Sequence, residues 1–553
     1  MAGRAGQEGG RECGQNDSLG AHERSLQTLI KCAPVRSPAE APPTVSSVQN
    51  FTLYDVLVRN ATAFGDRLAL VTEDGEERSF AELRERVDAL AAGLDGLGLE
   101  VSDRLAVLAQ NSAAYVELYL ACARQGIIVY PINWRLQSGE IEMLVRERAK
   151  PRAFVTGSDF LDAVPGGPGD DAIPHWFQFG DDPAEGYASL DSLYASADAA
   201  NDVPRPDVSA DDPFAVIATA AVDVIPRGAL LSHSNLVWAN LQEIASLGLD
   251  GSDRNLVALP LFHIAALGHL LSVFHAGGAN VITAKYDPAQ AVDLIDRYAI
   301  TMISDFPPVL TTLLDAAAEV GSRLATLRHV TGLDSPDTMQ RLHDETDATF
   351  WAGFGQCETS GFVTIQNARE RLGCAGKAAE LCSVRLVDDD DREVPAGEDG
   401  EIVVRGPLVF LGYDGQPDVT AHTFRGGWHH TGDIGRFDEE GNLFYVARKP
   451  EKELIKPGGE NVYPAEVEAA ILELDAVRAV CVFGVSDERW GEAIRAIVET
   501  DVSADLDQES VREHVGSRIA RFKRPRDVIF TSELPRSGDH VDRAAVKDRW
   551  GDA

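Results

Sequence analysis

The stretch that decides the fold runs from Gly427 to Glu468: GWHHTGD (Gly427–Asp433), then, fifteen residues on, RKPEKELIKPGGENVYPAEVE (Arg448–Glu468). Thr431, Gly432 and Asp433 read as a tight turn holding a short carboxylate on rigid backbone, suited to accept two hydrogen bonds from a diol such as a ribose. The plain alternative is an Asx turn before the strand ending in Phe444 and Tyr445, and for three residues alone it would be preferred. The second block weakens that alternative. Lys452, Lys456 and Gly458–Gly459 put positive charge and open backbone on one loop, and Asn461–Pro464 set up a helix start with Glu466 and Glu468 in its first turn.

Other segments follow in a fixed order. PINWRL (Pro131–Leu136), LPLFHIAALGH (Leu259–His269), DFPPVLTTLL (Asp305–Leu314), GFGQCETSG (Gly353–Gly361) and GEIVVRGPLVFLGY (Gly400–Tyr413) precede the aspartate, and FKRP (Phe522–Pro525) and LPR (Leu534–Arg536) follow the basic loop. Taken together, this succession resembles the adenylate-forming superfamily of acyl-CoA synthetases, luciferases and peptide-synthetase adenylation domains, over roughly residues 47 to 546.

The resemblance implies a set of roles. Glu358 is the expected Mg²⁺ ligand, a carboxylate beside triphosphate being the usual anchor for a hard cation. Phe354, in the block with Gly355, is expected against adenine, with a core aromatic as the alternative. Asp433 and Arg448 are expected to hold ribose, and His263 to line the acyl and pantetheine channel. Gly458–Gly459 with Lys456 are expected to build the thiol tunnel after the small domain rotates. Lys452 is the pivot candidate, in a hinge that carries two extra residues including Pro450; a plain loop insertion stands equal to that reading.

Two blocks depart from the family pattern. The phosphate loop, TSGTTGxPKG in the family, reads TAAVDVIPRG (Thr219–Gly228). Glycines and hydroxyls that would cradle phosphates are replaced, and a negative charge, Asp223, is added. Thr219, Pro226 and Gly228 persist, and Arg227 keeps the cation as a planar fork. Near the C-terminus PRxxSGKxxR reads PRSGDHVDR, one residue short, with His540 or Asp539 in the lysine slot. Loss of such a fixed cation typically costs ~10²–10³ in rate, so the adenylation step is the one these changes bear on. Cys357 takes the place of a threonine; a nucleophile is conceivable, but a spare small side chain is preferred.

Composition sets limits. The chain has 553 residues, 44% of them hydrophobic, enough for more than one domain. A net charge of −38, from 88 acidic against 50 basic residues, argues against nucleic acid or an anionic membrane as partner. ATP and CoA would then depend on local cations such as Arg227, Arg448 and Lys456, with Arg521, Lys523 and Arg524 either a CoA phosphate contact or a solvated basic patch. The seven cysteines show no CxxC pair, as expected of reduced cytosolic thiols. No stretch has the ~18 apolar residues that span a bilayer, and a cytoplasmic protein is expected.

Strand-length apolar runs, 103–110, 153–157, 214–219 and 279–284, alternate with helical stretches such as 80–97, the pattern of an α/β fold with buried parallel strands. The expectation is a disordered extension over 1–46, a large domain of layered α/β subdomains over 47–447, and a small mobile α+β domain over 448–553. Residues 166–183 and 201–213 are expected as surface loops. The function expected is an ATP-dependent carboxylic acid:CoA ligase using ATP, Mg²⁺ and CoA on a small-molecule acid. Altered chemistry, either activation of an unusual acid or acyl transfer to an amine, is the rival enzyme reading, and a non-catalytic nucleotide or acyl-CoA binding protein is the rival class. A homo-oligomer is compatible with the sequence, which does not select the acid.

Overall fold

Short runs of β-branched and aliphatic residues, too brief for helices and free of polar alternation, build two large sheets whose strands are covered on both faces. The computed structural model describes residues 50–164, 166–169, 172–194, 203–219, 227–449, 453–500, 506–537 and 540–551. From Phe51 onward the chain forms one compact unit.

In the nine-stranded sheet, six adjacent strands are parallel: Thr349–Gln356, His329–Gly332, Met302–Asp305, Arg254–Val257, Ala279–Ile282 and Leu68–Thr72. The eight-stranded sheet is parallel from Pro213–Thr219 through Ile128–Pro131, Arg104–Leu108, Ala153–Thr156 and His175–Gln178 to Ala188–Ser189. Four helices, Phe80–Gly96, Ala113–Gln125, His233–Leu247 and Ile264–Ala276, lie between the sheets, and their apolar faces share one core with both, including Leu70, Leu90, Val129, Leu236 and Phe274. Helices Pro288–Tyr298, Val309–Val320 and Pro336–Glu345 cover the outer face of the nine-stranded sheet. Ser79 and Ser232 fix two of the inner helices by accepting from the backbone N–H three residues on.

A four-stranded antiparallel sheet follows, containing Asp399–Arg405, His429–Phe437 and Leu443–Arg448. The C-terminal part has its own sheet, Val477–Asp487, Gly491–Thr500 and Asp527–Thr531, backed by helices Pro464–Leu472 and Gln508–Arg518 around a separate core. Among the described residues no helix is long and apolar enough to cross a membrane.

Two local expectations are corrected. Residues 431–433 are not a turn: they lie inside the strand His429–Phe437, where Gly432 alone has a positive φ of 74° and Asp433 pairs with Arg448. Within 166–183, the segment His175–Gln178 is a sheet strand with Trp176 and Phe177 buried. Pro, Gly and Asp flank it on both sides, and a four-residue strand leaves no periodicity to outweigh them.

Candidate active site

The parallel strands of both sheets end around one cavity of 530 Å³, the position at which α/β sheets place ligands. Thr219 closes the strand Pro213–Thr219, Gln356 closes Thr349–Gln356, and the next residues, Cys357–Thr359, make a single helical turn that presents Glu358. Glu358 is buried, and its Oε1 accepts from Thr219 Oγ1 at 2.7 Å and Tyr413 OH at 2.9 Å. Both hydroxyls converge on one carboxylate oxygen, and Oε2 remains for a hard cation, so the residues present fit a Mg²⁺ ion. Burial first, then the Glu358 charge, raises the Tyr413 phenol far above its ordinary range, which keeps it a donor. Arg227 lines the same cavity with its guanidinium 5.3 Å from the Tyr413 ring centre, and its Nε is buried without a hydrogen-bond partner. An anion is the group such a fork accepts. Gly228 follows where a Cβ would sit 2.4 Å from Val216. The rest of the altered phosphate loop, 220–226, lies outside the described residues.

Asp433 is fully buried. Its carboxylate accepts from Arg448 Nε at 2.8 Å and Nη2 at 3.4 Å, and from Gln356 Nε2. The ribose candidates are thus brought together, with Arg448, Gln356 and Thr431 forming the surface that faces the cavity above the aspartate. Beneath it, Glu401 Oε1 accepts from the Gly432 N–H at 2.9 Å, and Oε2 accepts from His430 at 3.0 Å, Lys449 at 3.1 Å and Arg425 at 3.2 Å. Burial works to raise the Glu401 carboxyl, but His430 and Lys449 outweigh it and hold it down at about 2.

The basic loop reaches the cavity. Lys456 lines it, and burial, then the neighbouring Arg448 charge, lowers its ammonium pKa. Gly458 has φ 59° and stands where a Cβ would come 2.9 Å from the Trp490 ring; at Gly459, φ 81°, a Cβ would meet Phe306 at 3.0 Å. Only glycine permits both the left-handed backbone and the close approach to Phe306–Pro307. His263, at the N-terminus of Ile264–Ala276, lines the cavity with Nε2 3.7 Å from Glu460 Oε1.

Several expectations change here. Phe354 is not a cavity residue: it packs with Val363, Leu386, Ile402 and Leu408 in the core under the four-stranded sheet. Along a strand the faces alternate, so with Gly355 bordering the cavity the Phe354 side chain points the other way. Burial pushes the Cys357 thiol far up, against a nucleophilic thiolate. His540 stands exposed on the hairpin of Arg536–Ser537 and His540–Val541 and is not among the cavity residues. Lys523 is neither a solvated nor a CoA-facing cation: it is buried between Glu140 at 2.5 Å and Glu466 at 2.7 Å. Lys452 and Asp539 lie outside the described residues. The sequence reading missed Glu460, which Arg135 Nη1 and Asn133 Nδ2 bind at 2.6 and 2.9 Å, and it missed Gln356 and Tyr413. All three stand inside motifs quoted from the sequence, but their partners are hundreds of residues or a sheet away.

The family model of the AMP-binding enzymes matches residues 57–414, and that of the AMP-binding enzyme C-terminal domain matches 466–539. The chain belongs to the AMP-binding enzyme family. It is 32% identical over 496 residues to a feruloyl-CoA synthase of Amycolatopsis sp, covering 87% of this chain and 96% of that protein. It is 34% identical over 473 residues to an indoleacetate–CoA ligase of Aromatoleum aromaticum, covering 83% and 90%. A solved structure of a candidate long-chain-fatty-acid CoA ligase from Rhodopseudomonas palustris is 42% identical with a TM-score of 0.68, over 72% of this chain and all (100%) of that one. The adenylate-forming resemblance and the mixed α/β architecture are therefore established, and the relatives are acid–thiol ligases.

Proposed function

We propose that this protein is an ATP-dependent carboxylic acid:CoA ligase that works through an acyl-adenylate. The observation that carries the reading is the cavity in which Glu358 and Arg227 from the two large sheets and Arg448 from the four-stranded sheet meet Lys456 and Gly458–Gly459 from the C-terminal segment. Arg227 supplies positive charge where a carboxylate oxygen of the acid attacks the α-phosphorus and pyrophosphate leaves, and Lys456, which arrives with the glycine loop, supplies it in the thioester step. A Mg²⁺ on Glu358 would neutralise phosphate charge in that step. Arg448 and Asp433 orient the ribose. The glycine pair, packed against Phe306–Pro307, leaves a narrow backbone-lined passage for the pantetheine thiol, whose thiolate attacks the acyl carbon and releases AMP.

The arrangement described is the one suited to the thioester step, because Gly458 and Gly459 are at the cavity and His540 is outside it. We assign the small domain to residues 448–553 with a pivot at Lys452, and its rotation would exchange the glycine loop for the His540 hairpin. A site of action in the cytoplasm, where ATP and CoA are supplied, accords with this chemistry.

The test is release of AMP and pyrophosphate from the full chain with ATP, Mg²⁺ and a panel of aryl and fatty acids, with and without CoA. AMP release that requires CoA is the expected result. Absence of AMP with every acid, alongside tight binding of a preformed acyl-CoA, would replace the ligase with a binding protein.

A further inference from the structure

Behind the wall of the passage, two carboxyl groups meet that can bond to each other only through a proton. Asp305 and Gly332 are register partners at the ends of the parallel strands Met302–Asp305 and His329–Gly332, and Phe306, Pro307 and Gly332 line the cavity. The loop that leaves the second strand is tied to the first, the Leu333 N–H donating to the Asp305 carbonyl at 3.3 Å. Asp334 then sets its side chain against that of Asp305 as a hydrogen-bonding neighbour. Asp305 is fully buried; its Oδ1 accepts from the Leu310 N–H at 2.9 Å, and its Oδ2 has no partner. Asp334 repeats the pattern, with Oδ1 accepting from the Ser335 N–H at 2.6 Å and a buried Oδ2 left over.

An ionised carboxylate only accepts, so two of them cannot bond to each other. One proton between the leftover oxygens satisfies both at once and removes one of two like charges from a buried place. Nothing else supplies that relief: among the described residues no cation acts on either carboxyl, and burial works to raise both. The other groups around the corner are engaged or neutral. Tyr286, kept neutral chiefly by burial, donates to the Val309 carbonyl at 2.8 Å, and beside Asp334 stands the Thr338 hydroxyl. Arg341, on the helix Pro336–Glu345, is held by Asp315 and Glu345.

We propose that Asp305 and Asp334 share one proton at neutral pH, and that this clasp positions Phe306 and Pro307, the surface against which Gly458 and Gly459 rest in the thioester step. The lever is short. Asp305 directly precedes Phe306, and its Oδ1 holds the Leu310 N–H on the far side of the wall. Loss of the proton leaves two buried anions face to face, and their repulsion parts the strand ends and shifts the wall between them. The positioning role rests on the ligase reading; the shared proton does not.

Two measurements on the full chain separate them. Infrared spectra at pH 7 read the C=O stretch of a protonated carboxyl, which ionised surface acids do not show. The wild type is expected to carry that band and Asp305→Asn to lack it; a wild type without the band, or a variant that keeps it, overturns the proposal. Single-turnover thioester formation from CoA and the preformed adenylates of the aryl- and fatty-acid panel is then followed from about pH 7 to about pH 9.5. The asparagine amide donates to Asp334 without a titrating proton and keeps the acceptor for Leu310, and CoA thiol ionisation cancels in a ratio of variant to wild type. That ratio is expected to rise tenfold or more toward high pH, since a displacement of ~1 Å can cost ~10²-fold, while the same ratio for pyrophosphate release stays level. Asp334→Asn, whose amide donates to Asp305 in turn, is expected to behave alike, so the outcome does not hang on the folding of one variant. A thioester ratio that ignores pH, or a rise shared equally by pyrophosphate release, overturns the positioning role. The band with no thioester formed from any adenylate removes that role and the ligase reading together and leaves the shared proton standing.

Discussion

Asp433 is held from two sides, by Arg448 and Gln356 toward the cavity and through Gly432 by Glu401 behind it. Asp433→Ala is expected to weaken ATP binding by ~1–3 kcal/mol, the loss of a charged hydrogen-bonding group; calorimetry with ATP and Mg²⁺ measures it, and unchanged affinity would remove the ribose role. Glu401 contributes through linkage. Its folded pKa of about 2 lies below the ordinary 4.5, so its stabilisation is complete above about pH 4.5 and is lost as pH falls toward 2, about 3 kcal/mol in all. Glu401→Gln should lower unfolding free energy by roughly 2–3 kcal/mol at pH 7, with the deficit narrowing below pH 4.5. Urea melts at pH 7, 5 and 4 give the comparison, and a deficit that ignores pH would rule the linkage out. Glu358 and the glycine pair stand at the cavity, and that placement, local to their motifs, was legible in the sequence. Phe354 was not, because a motif fixes position along a strand and only the sheet decides which face a side chain takes. Glu460 was not, because its meaning lies in Arg135.

At the scale of elements, the segment from the strand Met302–Asp305 into the helix Val309–Val320 braces the glycine loop through Phe306 and Pro307. Asp305 anchors this corner by accepting from the Leu310 N–H at 2.9 Å, yet its Oδ2 has no partner. Burial first, and the nearby Asp334 carboxylate second, push the Asp305 carboxyl well above the ordinary range. An acid with a raised folded pKa takes up a proton on folding, so its cost is absent below the unfolded pKa near 3.8 and grows as pH rises toward the folded value. Asp305→Asn keeps the acceptor for Leu310 and removes that cost. Its melting temperature is expected to exceed the wild type's at pH 7–8 and to converge on it near pH 4; a gain equal at both would show that packing, not ionisation, is responsible. Long apolar runs announced these strands correctly: 103–110, 153–157, 214–219 and 279–284 each hold one, since a strand covered on both faces must be apolar throughout. The strand His175–Gln178 escaped notice because flanking Pro, Gly and Asp dominate a short window, and Gly432 suggested a turn where the chain only bends within a strand.

Across the whole molecule, one segment of the large domain, residues 131–140, receives the C-terminal part at two points. Asn133 and Arg135 bind Glu460, next to the glycine pair, and Glu140 accepts from Lys523 Nζ at 2.5 Å and from the Ala520 N–H at 2.8 Å. Loss of a hydrogen bond to a buried charge costs roughly 1.5–3 kcal/mol. Arg135→Ala should therefore slow CoA-dependent thioester formation about tenfold or more, while adenylate formation without CoA changes within about twofold. Single-turnover measurement of each half-reaction separates the two, and an equal loss in both would mean that Arg135 acts on the shared cavity and not on docking. PINWRL was readable as a family block, but a docking surface is a property of two segments, and the sequence shows them only one at a time.

The Lys523 contact also has an asymmetry. Lys523 and Glu466 belong to the same C-terminal body, and Glu140 to the other. A departing C-terminal body keeps its ammonium neutralised by Glu466, and only a carboxylate, still capped by the Gln137 N–H at 2.8 Å, is left facing water. The fastener is thus self-insulating: parting would leave one readily hydrated anion while the cation keeps its partner, so the rotation proposed above would be spared the larger of the two penalties.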